Sequence, residues 1–93
     1  MKIKELQEIL ASCDPDATVL IAGFETTASA FVAEADTVVK CNSTYSEAGD
    51  HFSGDREVTS TGDNSVWIGW SDDYRTESFL RELPEPWHAL TQK

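Results

Sequence analysis

Basic residues, histidines, cysteines and prolines are scarce in this 93-residue chain, which has seven lysines and arginines, two histidines, two cysteines and three prolines. Each shortage removes a class of function. With only Lys2, Lys4, Lys40, Arg56, Arg75, Arg81 and Lys93, no basic face can form to neutralise phosphates, so direct nucleic-acid binding is excluded. Cys13 and Cys41 are too few and too far apart for a disulfide framework or a zinc knuckle, and both read as small buried residues. The five glycines are scattered and none forms a glycine-rich loop opening onto a helix, which argues against nucleotide chemistry. No apolar run reaches signal-peptide or membrane-spanning length, so a cytoplasmic protein without a membrane partner is expected.

Catalysis fares little better. A serine or cysteine hydrolase needs a histidine beside its nucleophile and a group to orient it, and only His51 and His88 are on offer. His51 sits between Asp50 and Asp55, a setting worth weighing as a metal or acid–base site, but the spacing of the acids does not match a calcium loop. A solvated polar loop is the simpler reading. Close carboxylate pairs are inevitable among 17 acidic residues, yet a glycosidase cleft is hard to build from one small core. The expectation is a protein that is not an enzyme and uses no cofactor or metal.

What the chain does hold is a composition that folds, 40% hydrophobic, with nine aromatic residues. Its length suits one domain, residues 1–93. Ile3, Leu6, Ile9, Leu10 and Cys13 repeat at helical spacing and predict an amphipathic helix stopped by Asp14, Pro15 and Asp16. Residues 18–24 are apolar on both alternating faces and read as a central strand, and residues 37–41 as a second. Residues 26–35 fit helix and strand equally. Residues 42–54 read as a long loop, 56–61 and 66–70 as strands joined into a hairpin by a turn at 62–65, and Thr76 as the cap of a short helix that ends at Pro84. Trp87 and Leu90 are expected to anchor the tail. The order implies an α+β fold with a mainly antiparallel sheet of about four strands, packed with the N-terminal amphipathic helix and a short C-terminal helix. In that arrangement Ile3, Leu6, Ile9 and Leu10 pack on Val19, Ile21, Val39, Ile68 and Trp70.

The formal net charge is −10, and within residues 5–74 only Lys40 and Arg56 stand against fourteen acids. Acidity of this kind keeps any small protein soluble. It also suits a surface that imitates phosphates and is steered onto a basic groove in a partner. The residues selected for such a surface are Asp50, Asp55, Glu57, Asp63, Asp72 and Asp73, with Trp67 as the apolar contact because it points away from Val66, Ile68 and Trp70 along its strand.

Residues 6–10, Leu-Gln-Glu-Ile-Leu, followed by 14–24, Asp-Pro-Asp-Ala-Thr-Val-Leu-Ile-Ala-Gly-Phe, resemble the start of small uncharacterised proteins of bacteriophages and prophages, in which a short helix leads through a Pro-Asp-Ala turn into a hydrophobic strand. The likeness covers the first quarter of the chain and carries over no catalytic residue. It implies a phage or mobile-element origin and, with it, an inhibitor of host enzymes or of host defence, of the anti-CRISPR or DNA-mimic kind, acting in the host cytoplasm on a basic nucleic-acid-binding host protein. The alternatives are an accessory or structural protein that self-associates, as a homodimer for example, and a small hydrolase or ligand-binding protein that uses His51.

Overall fold

A computed structural model describes residues 1–23, 30–47, 54–85 and 87–91. The fold is α+β. In chain order it comprises α1 (Ile3–Leu10), β1 (Leu20–Ile21), β2 (Ala33–Glu34), β3 (Thr37–Tyr45), β4 (Arg56–Val58), β5 (Asp63–Gly69), α2 (Tyr74–Glu82) and β6 (His88–Ala89). All pairings are antiparallel: β1 with β2 in a small ribbon, and β3 with β4, β5 and β6 in a four-stranded sheet.

β3 is the centre of the molecule. One edge carries β5 along residues Thr37 to Ser43, and the other carries β6 at Val39 and Lys40 and then β4 from Ser43 to Tyr45. Strand propensity alone ends at Cys41, because Asn42, Ser43 and Thr44 look like loop residues. They continue the strand because their polar groups find partners within the sheet. Asn42 Nδ2 donates to the Gly62 carbonyl at 2.9 Å, and the Ser43 and Ser65 hydroxyls meet at 2.7 Å. β3 therefore runs to Tyr45, four residues into the segment read as a long loop, of which residues 48–53 lie outside the described residues.

The expected hairpin is not formed. β4 and β5 are separated by β3, to which each of them pairs, and Asp63, Asn64 and Ser65, read as a turn, already belong to β5. The chain crosses from one edge of β3 to the other through residues 59–62, pinned by Thr59 N–H donating to the Asn42 carbonyl at 3.0 Å. Gly62 is required there, because a Cβ would run into the Ser43 carbonyl and lie 2.7 Å from the Thr59 hydroxyl.

The core lies on the face of the sheet covered by α2. Val39 is wholly buried, Cys41 and Leu83 nearly so, and Val58, Trp67, Phe79, Leu80 and Trp87 pack around them. Phe79, Leu80 and Leu83 share the inner side of the α2 segment, as their spacing predicts. Taking Val39 out of water is worth about 2 kcal/mol, so this cluster supplies much of the small net stability available to a domain this size. Trp67 stacks on Phe79 with ring centroids 4.2 Å apart and planes 19° from parallel. Its indole also lies over Gly69, where any Cβ would collide with it.

Three expectations about the core are overturned. The segment read as a central strand over 18–24 is not one in its described part, residues 18–23: β1 is a two-residue piece in the small ribbon, with Val19 and Leu20 more than half exposed, and Phe24 lies outside the described residues. The helix α1 buries none of its residues, Leu10 is 49% exposed, and Cys13 beside it is exposed rather than buried. Periodicity measures only that a helix has an apolar side, not that the chain supplies something to cover it. Finally, α2 is capped by Asp73, whose carboxylate accepts the Arg75 N–H at 2.9 Å, and not by Thr76. Thr76 is buried in the first turn and donates its hydroxyl to the Trp70 carbonyl at 2.6 Å.

Candidate partner-binding surface

Strand alternation sorts the side chains of the sheet. Val39, Cys41 and Ser43 on β3 lie opposite Trp67, Ser65 and Asp63 on β5 and share the covered face. Val38, Lys40 and Asn42, opposite Ile68, Val66 and Asn64, share the other face, which Glu57 and His88 join through their pairing with Thr44 and Lys40. Trp67 therefore falls on the inner face, stacked on Phe79, and not on the open one. The open face carries the exposed Val66, Ile68 and Lys40, so it is mixed rather than acidic.

The selected carboxylates divide into two groups. Two of them serve the fold. Asp73 has a side chain only 10% exposed; besides capping α2 it accepts Arg75 Nε at 3.0 Å and Nη2 at 2.6 Å, and the Arg75 side-chain hydrogen bond holds its pKa below the ordinary aspartate value. Asp63 pairs with Arg56 Nη1 at 2.9 Å, and the hydrogen bond from Arg56 likewise lowers its pKa. Neither charge is at the disposal of a partner without cost. Asp55, Glu57 and Asp72 are exposed and have no ion-pair partner among the described residues. Asp50 and His51 lie outside the described residues.

These three open carboxylates are not one patch. Glu57 faces Thr44, and the Asp55 carbonyl accepts the Ser46 N–H, so both sit at the Tyr45 end of β3. Asp72 follows Ser71, whose N–H and hydroxyl bind the Asp36 carboxylate at 2.7 and 2.6 Å, just before the Thr37 end. β3 is nine residues long, about 26 Å from end to end, so the two ends are separate features of the surface. Asp36 and Asp14, which accepts the Asp16 N–H at 2.9 Å, are further acids spent on holding turns.

More of the surface is apolar than the sequence reading allowed. Ile3, Ile9 and Leu10 on α1, Val19, Leu20, Phe31, Val32, Tyr45, Tyr74 and Leu90 are all exposed, Phe31 at 83%. On α1 they alternate with the exposed Glu5 and Glu8, so an apolar stripe and carboxylates occupy the same helix. The signal was present in the sequence as the amphipathic repeat; only the assignment of its partner was wrong. Of the tail anchors, Trp87 packs against the core, whereas Leu90 is exposed and holds on through its N–H to the Val38 carbonyl at 2.7 Å.

Chemical machinery is sparse among the described residues. Burial pushes the Cys41 thiol above its ordinary pKa, which keeps it protonated and a poor nucleophile at neutral pH. No group of three potential metal ligands occurs among the described residues, and no described helix is long and apolar enough to cross a membrane. No protein-family model matches the chain, and neither a curated protein nor a solved structure matches it.

Proposed function

We propose that the chain is a non-enzymatic acidic binding protein that docks on a basic surface of another protein, in the manner of an anti-defence inhibitor that occupies a nucleic-acid-binding site. The observation that carries the reading is the mismatch between covered and uncovered apolar side chains. Among the described residues, four hydrophobic side chains are buried while thirteen large ones are exposed. Where exposed apolar side chains gather on one element, as Ile3, Ile9 and Leu10 do on α1, they offer a surface for contact. The exposed carboxylates set the sign of the partner: they accelerate encounter with a basic surface and repel nucleic acid and other acidic proteins. In this division of labour Asp55, Glu57 and Asp72 steer, and apolar side chains such as those of α1 hold.

The test is capture of proteins from a bacterial lysate at low and high salt, with the wild type and with a triple variant, Asp55→Asn, Glu57→Gln and Asp72→Asn. A basic partner lost at high salt and lost from the triple variant supports the proposal, because exposed charges are screened over a Debye length of about 8 Å at physiological ionic strength. A partner held equally by both proteins at both salt concentrations refutes it.

A second reading, self-association as an accessory protein, rests on α1. Its uncovered apolar stripe would be satisfied by the same stripe in a second copy, as in an isologous dimer. The net charge of −10 opposes this at low salt, so a dimer that strengthens as salt rises distinguishes the second reading from the first.

A further inference from the structure

The inner face of the sheet continues beyond α2 into an open cavity of about 970 Å³, bordered by Met1, Lys2 and Ile3 at the start of α1. Its lining is unlike the rest of the molecule. The stacked Trp67 and Phe79 form an aromatic wall, the Ser43 and Ser65 hydroxyls contribute polar atoms, and Lys2 and Arg56 bring two cations against one carboxylate, Asp63, in a protein whose net charge is −10. A volume of this order, with aromatic surface and a few convergent polar groups, is characteristic of small-molecule sites.

Arg56 defines what such a molecule carries. Its three hydrogen bonds all leave from one nitrogen: Nη1 donates to Asp63 Oδ2 at 2.9 Å and, more weakly, to the Ser43 carbonyl and hydroxyl at 3.3 and 3.4 Å. The Nε and Nη2 edge of the guanidinium makes no hydrogen bond among the described residues. That edge is a two-pronged donor whose spacing matches the two oxygens of a carboxylate. Asp63 and Ser43 orient the guanidinium through Nη1, so part of the entropy of ordering it is already spent in the unliganded protein.

We infer that this cavity binds a small organic carboxylate with a flat apolar body, the carboxylate on the Nε and Nη2 edge of Arg56 and near Lys2, the body against Trp67 and Phe79. The site shares Ile3 with the α1 stripe but not Ile9 or Leu10, includes none of the open carboxylates Asp55, Glu57 and Asp72, and stands or falls independently of the proposed docking function.

The probe is 2-naphthoate, with 2-naphthamide as its neutral counterpart, titrated into the full chain labelled with nitrogen-15. Saturable shifts at the Ser43, Ser65 and Phe79 amides and at the Trp67 indole N–H are expected. Affinity for 2-naphthamide should be lower by about fivefold, the worth of one partly exposed charged pair. Arg56→Gln should lower naphthoate affinity to the same level, and Arg56→Lys, which keeps the charge but loses the fork, should weaken it too. The lysine variant decides the matter if the glutamine variant does not fold. Naphthoate and naphthamide binding equally, unchanged naphthoate affinity in a folded Arg56 variant, or shifts confined to α1 would each overturn the inference.

Discussion

Replacing Asp73 should destabilise the protein, although it belongs to an acidic surface whose neutralisation would otherwise relieve repulsion. The carboxylate does two things. It accepts the Arg75 N–H at 2.9 Å as the N-cap of α2, and it holds the Arg75 guanidinium through Nε and Nη2. Loss of an N-cap to alanine costs about 1 kcal/mol, and a charged hydrogen-bonded pair that is half exposed on the arginine side adds up to about 1 kcal/mol. Asp73→Ala should therefore lose about 2 kcal/mol, equivalent to a fall in Tm of about 10 °C for a chain of this length. Asp73→Asn keeps a side-chain acceptor for the cap and loses only the charge, so it should fall about midway. The neighbouring, exposed Asp72→Ala serves as control and should shift stability by no more than about 0.5 kcal/mol. The pH dependence follows from the direction of the shift. A folded-state pKa held below the unfolded one means that the folded protein binds the proton less readily, so the stabilisation is complete above the unfolded value of about 3.9 and is lost as pH falls through the folded value. The stability gap between wild type and Asp73→Asn should be constant from neutral pH down to about pH 5 and then close. Urea denaturation followed by circular dichroism measures all of this. If Asp73→Ala is no less stable than Asp72→Ala, or if the gap widens in acid, the assignment of Asp73 to the fold is wrong.

Other expectations follow from the same packing. Gly69→Ala places a methyl group in the Trp67 indole and should cost about 1–3 kcal/mol in thermal or urea unfolding, with the cost reduced in the background of Trp67→Leu, where the ring is gone; equal costs in both backgrounds would disprove the contact. Leu10→Asp, on the uncovered stripe of α1, should change the unfolding free energy by no more than about 0.5 kcal/mol, where a buried leucine would lose several; a large loss would show that α1 is covered after all. The same variant should weaken partner capture or self-association, read by the lysate experiment and by analytical ultracentrifugation.

Legibility differed sharply from one element to the next. α2 and its inner residues Phe79, Leu80 and Leu83 were readable because helical spacing and a terminating proline are both local signals. Its cap was not: Asp73 and Thr76 are both good capping residues, and the choice depends on Thr76 finding the Trp70 carbonyl, a contact that exists only once β5 has delivered Trp70 beside the helix. β5 was placed correctly as a strand but assigned the wrong phase. Val66, Ile68 and Trp70 are the more continuous apolar set, yet the set facing the core is the half-buried Ser65 and Trp67 with the buried Gly69, the Trp67 indole lying over the glycine. Of the candidate surface, the exposure of Asp55, Glu57 and Asp72 agreed with their place in polar segments, whereas the capture of Asp63 by Arg56 and of Asp73 by Arg75 could not be inferred from a list of charges.

By itself the sequence determined the class of the protein: an acidic α+β chain whose apolar residues repeat at helical and strand spacing, with seven lysines and arginines against 17 acids. These are properties of composition and of neighbours within a few residues, and they survive any arrangement of the elements. Only the tertiary structure decided which strand is central, which side of β5 faces inward, and that the stripe on α1 is left outside. Those outcomes depend on which elements compete for one small buried volume. β3 prevailed because both of its edges are paired and its polar residues bond across to Gly62 and Ser65, a result of contacts some twenty residues apart that no local pattern encodes.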